Sequence, residues 1–243
     1  MNEIFDLKRF AKLFLYECST YLPKLSKVLV TISCIIFAAW VTTIVFEFEF
    51  PIYFRIGLIS TLFSVACMLA PFIVYGEMNN RKSGYFYAML PASIPEKFIS
   101  MSLVCLVVAP LVSYAAIHIA DSLLYSLSLA DIGGFAGVKL YNPFEGEEGL
   151  FVLVLSYVAY IAIPMMFNTI FRKSKIIKTI LVYMGFVFSL IMLVAWMFST
   201  FSIDKIEIFL GWASEVSFAL YFQLAVTIAA FCVTYHKIKT VNY

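Results

Sequence analysis

The chain has 243 residues, of which 63% are apolar and only 13% are charged, and its mean hydropathy is +0.96. Soluble domains average about 45–50% apolar and about 25% charged residues, because their large surface must be kept in water. The composition therefore excludes most classes of soluble protein and predicts an integral membrane protein. The net charge of +2 is too small to indicate a nucleic-acid partner.

The first predicted element is an amphipathic helix over residues 1–25. Apolar residues recur on one of its faces at helical spacing, and basic residues lie away from that face. Such a helix typically lies in the interface plane of a membrane, and Pro23 predicts a bend into the first span. The alternative is an N-terminal extension packed on the bundle. The candidate interface residues are Lys8, Arg9, Phe10, Lys12 and Phe14.

The remaining residues, 26–243, are predicted to form an all-α domain with six transmembrane helices. A charged residue at the bilayer centre costs about 2.5–3.5 kcal/mol, so charge-free runs of about 20 residues mark membrane spans. Six such runs occur, each long enough at about 1.5 Å per residue to cross a layer of roughly 30 Å. They are 28–46, 56–75, 98–120, 150–171, 179–202 and 216–235.

The basic residues predict the orientation of these spans. Fourteen of the 17 Lys and Arg residues lie in the N-terminus, the second and fourth connections and the C-terminal tail. Lys and Arg are retained in the cytoplasm during insertion. We therefore expect both termini to be cytoplasmic. The long outer connection, 121–149, carries an acidic EGEE cluster and is interpreted either as a lid or partner-binding loop or as an unstructured connector.

The second connection, Gly76 to Lys97, has the most distinctive pattern. Ser93 followed by Glu96 forms a capping box, with Pro95 in the first turn, and predicts a helix that starts at Ser93 and continues into the third span. Pro91 disfavours helix at the residue before it, so an extended stretch and a turn are expected there. Several apolar residues before this turn predict contact with the membrane interface or with a partner protein.

The run MLPASIPEKF, Met89 to Phe98, resembles a signature of bacterial ABC-exporter permease subunits of the second integral-membrane type, especially those from Bacteroidetes-like organisms. The N-terminal FDLKRFAKL, the six spans and the position of Glu77 before the motif are similar as well. The short connection 203–215 departs from this family, whose members often place re-entrant helices there.

The resemblance implies a multi-pass subunit of the bacterial cytoplasmic (inner) membrane that pairs with a second permease copy, as a homodimer or heterodimer. In this family a short coupling helix between the second and third spans docks on a separate ABC ATPase subunit, which binds the ATP. The implied coupling residues are Glu77, Leu90, Pro91, Ala92, Ser93, Glu96 and Lys97.

The sequence carries no signature of an enzyme. No GxxxxGK[ST] phosphate loop occurs, so ATP would have to be bound by a partner. The five cysteines lack a CxxC pair and the two histidines lie far apart, so we expect no cofactor, no metal site and no catalytic residue. His118 lies near the end of its span and is interpreted as a helix-end residue.

Two alternatives to export stay open. One is a six-span anchor or assembly subunit that does not transport. The other is an ion-coupled carrier, which would work with no ATPase present. Such a carrier needs ionisable groups deep in the membrane, and the predicted spans contain none near their middle.

Overall fold

A computed structural model describes residues 5–46, 52–78, 84–128, 150–200 and 216–240. All regular structure in this part of the chain is helical, as the sequence predicts. The helices are α1 (Leu7–Phe46), α2 (Ile52–Val74), α3 (Gly84–Met89), α4 (Ile94–Leu103), α5 (Ala109–Ser128), α6 (Leu150–Ile170), α7 (Lys175–Thr200) and α8 (Val216–Thr240). The connection 203–215 and most of the connection 121–149 lie outside the described residues.

Four helical segments are long and apolar enough to cross a membrane. They are Leu7–Thr42, Phe54–Val74, Ile94–Leu123 and Lys175–Leu193. A shorter apolar helix covers Val154–Ile170. The described residues therefore have the properties of a membrane protein.

Helix α1 differs from the sequence prediction because it does not end near Pro23. It continues through this proline from Leu7 to Phe46, so the predicted interfacial helix and first span are one element of about 60 Å. A proline removes one backbone hydrogen bond and strains the preceding turn. Here buried residues lie on both sides of it, Leu13 before and Leu25 and Ile32 after, and their packing holds the helix together.

The described residues form two compact units, of which the first contains α1, α2, α4 and α5. These helices pack against one another around small residues such as Ala66 and Ala70, both fully buried, which let helices approach closely in a membrane. The N-terminal parts of α1 and α4 lie together at one end of the unit, where the C-terminal end of α2 also lies. Helix α2 therefore runs antiparallel to the other two.

Helices α4 and α5 form one continuous rod with a local widening. A π-helical turn, Val104–Val108, joins them, and the Ala109 N–H donates to the Val104 carbonyl. Pro110 follows directly. A proline clashes with the carbonyl of the residue four positions earlier in a regular α-helix, and a π turn is a usual site of adjustment. We attribute the wide turn to this proline.

The second unit contains α3, α6, α7 and α8. Helix α6 packs most extensively on α8, and the Ser156 hydroxyl donates to the Gln223 side-chain oxygen over 3.2 Å. Helices α6 and α7 form a hairpin in which the rings of Phe167 and Tyr183 meet edge to face. The hairpin turn ends at Ser174, whose φ of 51° is left-handed.

Candidate functional site

Helix α4 starts where the sequence predicts. Ser93 is the N-cap, with an extended backbone (φ −69°, ψ 159°), and its N–H donates to the Glu96 carboxylate over 2.8 Å. The Ser93 hydroxyl has the capping-box position next to the Glu96 N–H but forms no side-chain hydrogen bond. The first turn of α4 is therefore held mainly by the glutamate half of the capping box.

The segment before this helix start differs from the prediction. The sequence predicts an extended stretch, but Gly84–Met89 forms helix α3. The chain bends at Leu90 and Pro91, and the Ala92 N–H donates to the Leu90 carbonyl over 2.7 Å. The restriction that proline imposes on the preceding residue reaches only Leu90, so it ends the helix without unfolding the residues ahead of it.

Glu96 connects the start of α4 to the N-terminal segment. Its carboxylate accepts hydrogen bonds from the Arg9 Nε at 2.8 Å, the Arg9 Nη2 at 2.6 Å and the Asp6 N–H at 2.8 Å. The Glu96 side chain is fully buried, whereas that of Arg9 is 33% exposed. Asp6 in turn caps α1, since its carboxylate accepts from the Lys8 N–H. One carboxylate thus fixes the beginnings of two helices to each other.

A second buried carboxylate, Glu17, lies two turns further along α1. It accepts hydrogen bonds from the Tyr75 hydroxyl at 2.6 Å and from the Ser100 hydroxyl at 2.5 Å. Tyr75 follows α2 directly, and Ser100 is one turn after Glu96 in α4. Lys97 is also buried and experiences the charge of Glu17. Glu17 therefore joins the ends of three helices.

The predicted coupling residues divide into a buried and an exposed group. Glu77 and Pro91 are exposed, and Leu90 is half-buried. The other four are buried inside the chain, so they cannot themselves form a contact surface. These four are Ala92, Ser93, Glu96 and Lys97.

The predicted interface residues of α1 divide in the same way. Lys8 and Lys12 are exposed, while Phe10 and Phe14 are half-buried with stacked rings. Arg9 stays a predicted interface residue, and its guanidinium group also binds Glu96. Sequence spacing cannot reveal a partner 87 residues away.

In the second unit, Lys175 ties the connection after α2 to the α6–α7 hairpin. Its ammonium group donates to the Gly76 carbonyl at 2.6 Å and to the Asn168 side-chain oxygen at 2.9 Å. The sequence indicated only that Lys175 is one of several cations in the fourth connection. Gly76, the first residue of the second connection, is therefore held in place by Lys175.

A buried ion pair lies at the opposite end of the first unit. The Arg55 guanidinium donates through Nε to one Asp121 oxygen at 2.9 Å and through Nη2 to the other at 2.5 Å. Both side chains are at least nine-tenths buried. The sequence signal for this pair was weak: Arg55 stands directly before one predicted span and Asp121 directly after another.

The two polar ends of the first unit are separated by the thickness of a bilayer core. Arg55 and Tyr75 are 20 residues apart at the two ends of α2, and Ser100 and Asp121 are 21 residues apart along α4 and α5. Each interval rises about 30 Å, which is the usual thickness of the hydrocarbon layer.

Comparison with known proteins gave no match to any protein-family model, curated protein or solved structure. Within the described residues there is also no group of side chains suited to hold a metal ion. What the site offers is mechanical: two buried carboxylates connect a helix start to its neighbours through charge-assisted hydrogen bonds, which are stronger than neutral ones.

Proposed function

We propose that this chain is the six-span permease subunit of an ATP-driven ABC exporter in a bacterial cytoplasmic membrane, with both termini in the cytoplasm. The observation that supports this most directly is the helix start at Ser93. It is fixed to α1 through Glu96 and continues without a break from Ile94 to Ser128. A push on the preceding turn would therefore reach the far end of the bundle.

The burial pattern indicates how coupling would work. The ATPase subunit would contact the exposed turn, where Met89 is 62% exposed and Pro91 is also accessible. The buried residues Ser93, Glu96 and Lys97 would not touch the ATPase but would keep the first turn of α4 rigid. ATP-driven closure of two ATPase subunits would then displace α4 together with α1, as one body moving against another.

The six-span arrangement rests on the sequence together with the first unit. The roughly 30 Å between the two polar ends of α2 and of α4–α5 supports membrane crossing by these helices, and α1 accompanies them. The other three spans correspond to α6, α7 and α8. The acid-rich outer connections and base-rich inner ones support the orientation.

A co-purification experiment tests this function. The tagged chain would be extracted from its native membranes in mild detergent, and bound proteins would be identified by mass spectrometry. We expect a nucleotide-binding ATPase subunit and a second permease copy. The variant Met89→Gln should retain less of the ATPase subunit. Leu15→Gln, at a residue that is 67% exposed on α1, is the matched control and should retain the native amount.

Recovery of no nucleotide-binding subunit with the native chain would overturn the proposal. The anchor and the ion-coupled carrier would then be the remaining candidates, and transport by the purified chain alone in liposomes separates these two. Equal loss of the ATPase subunit in both variants would instead place the contact elsewhere than at the turn before α4.

A further inference from the structure

One exposed face of α1 is unlike a lipid-facing surface. Seven residues, three or four positions apart, run along the middle of this face, and none of them is a large apolar residue; the exposed Val30 and Ile35 lie at its two edges. They are Thr20, Lys24, Lys27, Thr31, Cys34, Ala38 and Thr42, called here the polar stripe. Lys24 is half-buried and the others are exposed. The buried residues Leu25, Ile32 and Ile36 lie on the other side of the helix.

Helix α7 gives the contrast. Most of its exposed side chains are large and apolar, as a surface in contact with lipid requires. Leu181, Met184, Phe188 and Ile191 are between 59% and 64% exposed. A helix face that repeats Thr, Lys and Cys over the length of a span is therefore suited to water or to a polar solute.

Packing within the first unit places Lys27 near the middle of the membrane. Glu17 is level with one polar end of the unit, because it bonds Tyr75 and Ser100. Ile36 lines the same cavity as Arg55 and Asp121, and is therefore level with the other end. Lys27 lies ten residues after Glu17 and nine before Ile36, about 15 Å from either level. The sequence had placed Lys27 just before the first span, at the cytoplasmic surface.

A lysine at this depth is costly unless its charge meets water or a counter-charge. Insertion of a charged residue at the bilayer centre costs about 2.5–3.5 kcal/mol, and such residues usually face a water-filled cavity and mark a substrate path. Lys24 and Lys27 are one turn apart on the same stripe. Lys27 is exposed, and its charge produces a positive potential that concentrates anions.

We infer that the polar stripe of α1 lines a water-filled translocation path and that Lys27 binds an anionic group, a phosphate or carboxylate, of the transported molecule. The inference rests on the proposed function and adds a substrate class to it. The second permease copy would supply the facing wall of the path.

Cys34 provides a native probe, since it is exposed on the stripe two turns beyond Lys27. The other four cysteines would be replaced by serine or alanine, and the full chain would be kept in its native membrane. The rates of Cys34 modification would be measured with two membrane-impermeant methanethiosulfonates, one bearing a sulfonate and one a trimethylammonium group. Each rate would be normalised to that of a free thiol in solution.

We expect Cys34 to react, and to favour the sulfonate reagent by about fourfold for one lysine charge some 10 Å away, even at the dielectric constant of water. The preference should disappear in the double variant Lys24→Gln/Lys27→Gln and persist in Lys27→Arg. The matched control is Met184→Cys in a chain without other cysteines. Met184 is 64% exposed on the apolar surface of α7, so this thiol should not react.

Failure of Cys34 to react, or equal reaction at Met184→Cys, would overturn the water-filled path. Reaction without charge preference, or a preference that survives the double Gln variant, would overturn anion binding. This experiment does not depend on the recovery of an ATPase subunit, so its failure is distinct from the failure of the co-purification.

Discussion

At the residue scale, Glu96 connects more of the chain than any other side chain at the start of α4. It accepts two hydrogen bonds from Arg9 and one each from the N–H groups of Asp6 and Ser93. We expect Glu96→Gln to lower the free energy of unfolding by about 1–3 kcal/mol, because bonds to a charged acceptor are worth more than neutral ones. The midpoint of thermal unfolding in detergent would measure this.

Exchanging the two charges should not restore this stability. In Arg9→Glu/Glu96→Arg the ion pair could form again, but the N–H groups of Asp6 and Ser93 would face a donor instead of an acceptor. We expect the double variant to unfold at a lower temperature than Glu96→Gln. Lys12→Gln, at an exposed lysine of α1, is the control and should unfold like the native chain. Full recovery in the exchanged variant would show that only the ion pair matters.

The Arg55–Asp121 pair should behave differently, because its two side chains bond to each other on both carboxylate oxygens. Arg55→Met or Asp121→Leu alone leaves a buried charge uncompensated and should cost about 3–5 kcal/mol. The double variant removes both charges and should regain most of the loss. A double-mutant cycle on unfolding midpoints measures this, and additive losses would contradict it.

These two ion pairs also show which contacts can be predicted from the sequence and which cannot. The Ser93–Glu96 bond is local, so spacing alone predicted it. The bonds of Glu96 to Arg9 and of Arg55 to Asp121 join distant positions and depend on which helices pack together. Charge counts placed Arg55 and Asp121 on one side of the membrane, but no local pattern could pair them. Glu17 was missed for the same reason.

At the element scale, the sequence predicts one regular helix from Ser93 through the third span, whereas the structure has a π turn between α4 and α5. If Pro110 causes the wide turn, deletion of Val107, which is 45% exposed, should restore regular α-helix and force the proline ring against a carbonyl. We expect a loss of up to about 3 kcal/mol, most of which Pro110→Ala should restore in the double variant. Reaction of buried Cys67 with a thiol dye during heating would follow unfolding.

Deletion of Leu111 is the control for that experiment. It removes an exposed residue from regular helix, so it rotates Asp121 by about 100° away from Arg55. Pro110→Ala should not rescue it. Rescue of both deletions, or of neither, would mean that the proline does not set the turn.

In helix α1 a local sequence signal predicted a boundary that the structure does not have. Pro23 and the change in composition beside it predicted two elements, because proline is the strongest local signal against helix. Buried residues on both sides of Pro23 override that signal. The same packing sets the depth of Lys27, which a hydropathy window cannot measure because it ignores the register of neighbouring helices.

At the scale of the whole molecule, the basic residues predict an orientation with both termini in the cytoplasm, and this gives the last prediction. Alkaline phosphatase folds only outside the cytoplasm, whereas green fluorescent protein fluoresces when fused on the cytoplasmic side. Phosphatase fused after Leu140 should therefore be active, and fused after Arg81 or Tyr243 it should be inactive. Green fluorescent protein should fluoresce after Tyr243 and be dark after Leu140.

The fusion sites test the number of spans as well as their direction. With six spans, Arg81 and Tyr243 lie on the same side as the N-terminus, because an even number of crossings precedes each. An active phosphatase after both Leu140 and Tyr243 would require an even number of crossings between Leu140 and the C-terminus, instead of the three predicted. Substituting the four basic residues of the fourth connection by Gln should weaken this orientation, since Lys and Arg near span ends determine it. These four are Arg172, Lys173, Lys175 and Lys178.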